Sequence, residues 1–487
     1  MRICEGLKPE RVFYYFEEIC KIPHGSGNTK AISDYCVAFA KAHGLEWIQD
    51  AMGNVILFKG GAKGYEDADP VILQGHMDMV CEKESGVEFD FETEGLTLFV
   101  DGDFLRAKGT TLGGDDGIAL AYGLAILESS EIPHPSLEVV FTVDEETGLL
   151  GAEGIDLSML KGKKLLNIDS DEEGIFLTSC AGGLDVDCRI PMAREAREGV
   201  CYEIKVSGLK GGHSGMEIHK ERGNAIFLMG RVLEALGEAF PCSIVALEGG
   251  LKDNAIPREA VCTILLGQEG APFGQEQAFL ELAGQIGQTL RQEYRSSDPG
   301  LTVMVRNFGQ GCRDVLDDAS QEKALCLMRQ MPCGVQHWSM EVEGLVETSA
   351  NPGILKLSDG FLSLCCSVRS NVTSRKYEVA KRLGSLVSLL GGESSLRGDY
   401  PAWEYQPDSP VRELLADTYR ELFGEEPKKM ALHAGLECGI FTGKIKGLDC
   451  ISFGPDNFDI HTPMERLSIP SVAKVWELIL GFLERSK

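Results

Sequence analysis

Apolar positions along the first 180 residues switch repeatedly between a helical and a strand period. PERVFYYFEEICKI (residues 9–22) has helical spacing and predicts a helix with Pro9 at its first turn. NTKAISDYCVAFAKAHG (28–44) predicts a second helix, with Gly44 as its stop. LEWIQD and NVILFKG predict a hairpin turning at Met52–Gly53. PVILQGHMD (70–78) reads as an apolar strand running into polar residues, and GGDDGIALAYGLAILES (113–129) as a glycine-rich turn feeding an apolar helix. LEVVFTVDEETG (137–148) and KKLLNIDSDEEG (163–174) read as two more strands, each ending in acids. Strands alternating with helices in this way predict an α/β layer with a mainly parallel sheet.

From about residue 185 the texture changes. CYEIKVSGLKGG, SIVALEGG, EAVCTILLG and LTVMVRNFG read as strands, with helices such as NAIFLMGRVLEALGEAF between them. This predicts an α+β insert with an antiparallel sheet. The α/β pattern returns from about residue 397, with helix VRELLADTYRELFG, strand DCISFGP and the final helix SVAKVWELILGFLERS. The expected organisation is a catalytic domain built from residues 1–184 and 397–487, interrupted by a lid domain over 185–396.

A chain of 487 residues is long enough for two or three cores. Its 43% hydrophobic and 25% charged content is that of a folded soluble protein. No segment approaches the roughly 18 uninterrupted apolar residues of a membrane span. The N-terminal MRICEGLKPERV lacks the apolar core of a signal peptide, so a cytoplasmic protein is expected. A net charge of −28 argues against nucleic acid or an anionic membrane as partner. The 16 cysteines form no C-x-x-C pair, and only Cys365–Cys366 lie close together. They read as scattered buried thiols rather than disulfides or zinc ligands.

Histidine and acidic residues gather where strands end, the place where open α/β sheets bind ligands. The segments are GHMD (75–78), GGDDG (113–117), DEETG (144–148) and NIDSDEEG (167–174), with DIHTPMER (459–466) from the last part of the chain. Singly, each has a bland reading: a core histidine, a helix N-cap or a solvated turn. Jointly they supply imidazoles and carboxylates, the donors zinc accepts when thiolates are absent.

The ordered set G-H-x-D, L-G-G-D-D-G, D-E-E-T-G, N-I-D-S-D-E-E-G, G-G-H-S-G and F-x-I-H-T-P-x-E-R resembles the aminoacyl-histidine dipeptidases. These are also called peptidase D or β-alanyl-histidine dipeptidases, within the wider group of co-catalytic zinc exopeptidases and deacylases. The resemblance spans essentially the whole chain. It implies a zinc-exopeptidase-like catalytic domain with a mainly parallel central sheet and an inserted α+β lid. It implies two zinc ions per chain, with His76 and Asp169 on one, Glu146 and His461 on the other, and Asp115 bridging. Cobalt or manganese could serve with the same donors. Glu145 would be the general base. Asp78, two residues beyond His76 and on the same face of a continuing strand, would orient the imidazole. The charges are consistent: three carboxylates and a bridging hydroxide balance two divalent ions.

Further implications are less local. His213, in GLKGGHSGM, is similar to a lid histidine presented to the substrate carbonyl, and a turn histidine is the plain alternative. Asn254 and Arg369 resemble residues that bind the peptide's free carboxylate. His433 and Glu437, in HAGLECG, either face the substrate or are structural. Asp116 stands where the family more commonly has Asn or Asp, and Asp115 occupies the ligand position of the motif. The resemblance also implies a cis peptide after Asp115 and a homodimer formed through the lid. Strand alternation would send Glu145 and Glu146 to opposite faces, so both reach one site only if the strand has already ended. The function implied is hydrolysis of small peptides, namely Xaa-His (carnosine-like) dipeptides, with N-acyl amino acid deacylation as the alternative. A noncatalytic binding protein is disfavoured, because the base and every ligand are present.

Overall fold

The computed structural model describes residues 2–267 and 275–487. The chain divides into two units, one of residues 1–180, 405–431 and 436–487, the other of residues 181–404 and 432–435.

The first unit is built on an eight-stranded sheet. Its spatial order is Glu46–Gln49, Val55–Lys59, Leu137–Thr142, Val71–His76, Lys164–Asn167, Asp449–Ser452, Ile175–Cys180 and Lys428–Leu432. The four central strands, Leu137–Thr142 to Asp449–Ser452, run parallel. The first two strands and Ile175–Cys180 pair antiparallel at the margins. Of these antiparallel pairs, only Glu46–Gln49 with Val55–Lys59 is a hairpin closed by a short turn; the others join strands distant in sequence.

Helices Glu10–Cys20, Lys30–Ala42 and Ile469–Arg485 each bury an apolar stripe. Phe13 and Phe16 from the first and Phe482 from the last share a core with Leu73, Val139, Phe141, Leu166 and Ile451 of the sheet. Helix Gly114–Glu128 is different. Every residue from Gly117 to Leu127 is buried, as its all-round apolar sequence requires.

A small four-stranded sheet joins Leu98–Asp101, Phe104–Ala107, Arg466–Ser468 and Asn457–Phe458. The last two pair antiparallel, so His461 lies in the loop between them.

Three local expectations needed revision. The strand ends at His76 and does not continue to Asp78. The strand before the adjacent glutamates ends at Thr142, and Asp144 takes a left-handed φ of 53°. The cysteines are free thiols, but Cys81 and Cys312 are exposed rather than buried.

In the second unit, all pairings of the nine-stranded sheet are antiparallel. Strands Thr302–Leu316 and Glu393–Tyr400 stand at the two ends of its main path. Helices Ala225–Ala239, Gln275–Glu293, Asp318–Gln330 and Thr373–Leu389 contribute Leu228, Phe279, Leu327 and Leu383 to one core with Tyr202, Ile264 and Leu364 of the strands.

Candidate metal centre

The first unit brings His76, Asp78, Asp115, Glu145, Glu146, Asp169 and His461 together from five chain segments. His76 is the last residue of its strand, and Asp169 follows its own strand by two residues. Asp115 sits at the start of helix Gly114–Glu128, before the backbone becomes helical. The turn there needs Gly113, whose φ is +68°; a Cβ at that position would lie 2.9 Å from the Met79 sulfur. The Asp115–Asp116 peptide is cis, as the resemblance implied.

The Asp115 carboxylate spans two imidazoles. Its Oδ1 lies 3.0 Å from Nε2 of His76, and its Oδ2 lies 3.2 Å from Nε2 of His461. Glu146 Oε1 is 2.8 Å from the same His461 nitrogen, and Asp169 Oδ1 is 3.9 Å from Nε2 of His76. Donor atoms of Asp115, Glu146 and His461 all lie within 4.8 Å of one another, as do those of His76, Glu145 and Glu146 and of His76, Asp116 and Asp169.

His76 Nδ1 donates to the backbone carbonyl of Asp78 at 3.0 Å. In the neutral, metal-binding form of the ring, that bond puts the proton on Nδ1 and leaves the Nε2 lone pair facing the carboxylates.

The charges explain why this arrangement suits a cation. Burial disfavours a charged His76, yet the carboxylates of Asp115, Asp78, Asp169 and Glu145 outweigh it and push its pKa well above the usual range. Hydrogen bonds to Asp115 and Glu146 push His461 up to about 10. Burial pushes Asp169 well up, and Asp169 Oδ2 is buried with no hydrogen-bond partner. Burial raises Glu145 to about 8, with Glu437, Glu146 and Asp115 adding to the effect. Half-buried carboxylates facing imidazole nitrogens, with one oxygen of Asp169 buried and unpartnered, form a nitrogen–oxygen donor set that fits divalent zinc.

Asp78 does something the sequence pattern did not indicate. Its carboxylate accepts from the backbone N–H of Glu145 at 3.0 Å and of Glu146 at 3.3 Å, and from Ser26 Oγ at 2.8 Å. The imidazole Nδ1 is 3.5 Å from that carboxylate, farther than from the Asp78 carbonyl. Asp78 thus holds the turn bearing both glutamates as well as the ring. Because the strand stops at Thr142, that turn can direct both side chains to one place.

Two supports were not assigned a role from sequence. Asp116, 1% exposed, accepts the backbone N–H of His76 at 3.1 Å, which points it away from Asp115's position between the rings. Glu465 accepts from the backbone N–H groups of Leu112, Gly113 and Gly114 at 2.7, 3.0 and 2.8 Å, cradling the turn that presents Asp115. The available signal was the E-R at the end of HTPMER, which follows His461 by four residues.

His213, Asn254, Arg369 and His433 lie in the second unit, and Glu437 in the first. His213 pairs with Ala255 across two short strands, and Ser214 N–H donates to the Asn254 carbonyl at 2.9 Å. His213 Nδ1 accepts from the N–H of Gly215 and Met216 at 3.2 and 3.0 Å, so its proton sits on Nε2. Burial and then the nearby Arg369 lower its pKa and keep it neutral near pH 7. Arg369 donates from Nη1 to the Tyr400 hydroxyl at 2.7 Å, and its Nε is buried without a partner. His433 is 7% exposed, 2.8 Å from Ser349 Oγ and 3.3 Å from Asn371 Oδ1. Its contacts are those of a structural residue.

Residues 72–485 match the sequence profile of peptidase family M20/M25/M40, and the chain belongs to that family. It is similar to the cytosol non-specific dipeptidase of Escherichia coli (strain K12), with 35% identity over 480 residues covering 98% of each chain. Among solved structures it resembles the aminoacylhistidine dipeptidase from Vibrio alginolyticus, with a TM-score of 0.91 and 36% identity over 99% of this chain and 98% of that one. A Bacillus cereus aminopeptidase shares the fold, with a TM-score of 0.57 and 16% identity over 99% of both chains.

Proposed function

We propose that this chain is a metal-dependent dipeptidase whose substrates are aminoacyl-histidine dipeptides of the carnosine type. The observation that carries the reading is the Asp115 carboxylate between the His76 and His461 imidazoles, with Glu145 in the same cluster. Two full-length relatives bear dipeptidase names, one of them for aminoacyl-histidine substrates.

In this reading His76 and Asp169 hold one zinc ion, Glu146 and His461 the other, and Asp115 both. Bound there, the zinc ions supply Lewis acidity, polarising the scissile carbonyl and acidifying water. Cobalt or manganese fits the same donors. The Glu145 carboxylate takes a proton from the attacking water and delivers it to the leaving amine nitrogen as the C–N bond breaks. Asp78 keeps the His76 Nε2 lone pair and the Glu145 turn in place. His213 offers its Nε2–H to the substrate carbonyl, and Asn254 and Arg369 bind the free carboxylate.

The same reading takes the protein to be a cytoplasmic homodimer paired through residues 185–396. The Escherichia coli relative is named for the cytosol. The edge strand Thr302–Leu316 is mostly exposed, with Met304 52% and Phe308 46% accessible, and such edges invite pairing.

The test combines metal analysis with a panel of Xaa-His dipeptides, other dipeptides and their N-acetylated forms. About two zinc ions per chain and cleavage of the free-amine Xaa-His peptides are expected. Preference for the N-acetylated forms would identify a deacylase instead, and no hydrolysis at full metal loading would refute the reading.

A further inference from the structure

Glu437 opens the helix Glu437–Lys444 and is 0% exposed, an unusual place for a carboxylate. Its Oε2 accepts from Thr142 Oγ1 at 2.8 Å and from the Gln74 side-chain amide. Gln74 Oε1 accepts in turn from Asn167 Nδ2 at 2.6 Å. Its other oxygen, Oε1, is buried without a partner.

These three partners stand on three adjacent parallel strands. Gln74 pairs with Asn167 on one side, and His76 pairs with Thr142 on the other. Gln74 precedes His76 by two residues, Asn167 precedes Asp169 by two, and Thr142 precedes Glu145 by three. The carboxylate therefore joins two strands directly and reaches the third through Gln74, just before the three lead to His76, Glu145–Glu146 and Asp169.

An apolar residue would fill this space without losing the hydration of a charge, and buried polar networks are often replaceable by packing. What an apolar residue lacks is an acceptor shared by donors from separate strands. Burial raises the Glu437 pKa to about 7, against the attraction of His76, and a proton on Oε1 leaves Oε2 free to accept. The hydrogen bonds persist in either state.

We propose that Glu437 is a positioning residue: by accepting from Gln74 and Thr142 it sets the spacing of the strand ends that carry His76, Glu145–Glu146 and Asp169. The inference rests on the metal-dependent reading of that cluster.

The test uses the full chain carrying Glu437→Leu, which removes both hydrogen bonds, or Glu437→Gln, whose amide oxygen can still accept them. Zinc affinity is measured by chelator competition, and kcat and KM at saturating zinc. Glu437→Leu is expected to weaken zinc about 10- to 100-fold and lower kcat about tenfold or more, with KM changed less than about threefold. Glu437→Gln is expected to recover zinc affinity to within about fivefold of the parent. A folded Glu437→Leu chain with parental zinc affinity would overturn the proposal, as would a Glu437→Gln chain as impaired as Glu437→Leu. Should Glu437→Leu fail to fold, the near-isosteric Thr142→Val removes one donor and decides. Weakening of about three- to tenfold supports the proposal, and unchanged affinity overturns it. A parent chain that binds no zinc refutes the metal-dependent reading itself, so the two failures are distinguishable.

Discussion

Replacing Asp78 by alanine asks how much of the candidate centre depends on one buried carboxylate. Asp78 is 1% exposed and accepts the backbone N–H groups of Glu145 and Glu146 together with the Ser26 hydroxyl. Burial alone would raise its pKa. The His76 ring, Ser26 and the Glu145 N–H outweigh burial and hold it below the usual carboxylate range. Its stabilising contribution is thus present above the unfolded-state pKa of about 3.9 and is lost as pH falls through the lower folded value. Alanine leaves two backbone donors without their partner, at about 1–3 kcal/mol each where water cannot reach them, so about 2–6 kcal/mol in all. Ser26 is only part-buried and can turn to water, so it adds little. For a unit of this size, thermal unfolding should move down by about 2–4 °C for each kcal/mol lost. Zinc affinity and kcat should fall about 10- to 100-fold, because the Glu145–Glu146 turn is no longer held, although the residue 78 carbonyl still accepts from the His76 ring. Asn at the same position should be intermediate, since its oxygen serves one N–H while its amide nitrogen confronts the other. Calorimetry, chelator competition and steady-state kinetics on both variants are the assay. An Asp78→Ala chain within about threefold of the parent in zinc affinity and kcat would refute the reasoning, whatever its melting temperature.

Glu145→Gln should lower kcat by about 10²–10⁴-fold while metal content stays near the parent value, whereas Glu146→Gln should lose one metal; metal analysis that shows the converse reverses the assignment. Gly75→Ala places a methyl 2.4 Å from the Ala119 Cβ and 2.5 Å from Asp116 Oδ2. It should cost about 1–3 kcal/mol by overpacking and weaken zinc by displacing the Asp116–His76 contact, which denaturant melts and chelator competition would detect. His433, pushed down to about 3 by burial and then by Arg369, is neutral when folded and protonates when unfolded. Stability of its unit should therefore be fully present above about pH 6.5 and fall by about 1.4 kcal/mol per pH unit below it. Urea midpoints at about pH 7 and about pH 5 check this, and His433→Gln should flatten the difference.

Short apolar runs were enough to place the strands that lead to His76, Glu145 and Asp169, though not their last residues, because a strand buried on both faces reads as a continuous run. Helix–strand alternation implied the parallel centre of the sheet in the same way, and the family resemblance implied the cis peptide after Asp115. The order of acidic motifs was legible as a family resemblance, and the chain does belong to the peptidase family. Local pattern did not reveal which atom of each acid meets which partner. Asp78 was assigned to an imidazole, but its carboxylate lies closer to two backbone N–H groups 67 and 68 positions away in sequence. Asp116 and Asp115 are indistinguishable as neighbours in a motif; the turn into helix Gly114–Glu128 sends one to the His76 backbone and the other between two rings. Glu465 reaches its glycine-rich turn across more than 350 residues, and Glu437 reaches Gln74 across 363. Those pairings depend on strand order and on which helix lands beside which strand end. Hydrogen bonds and charge act through distance in space, and only the folded chain sets that distance.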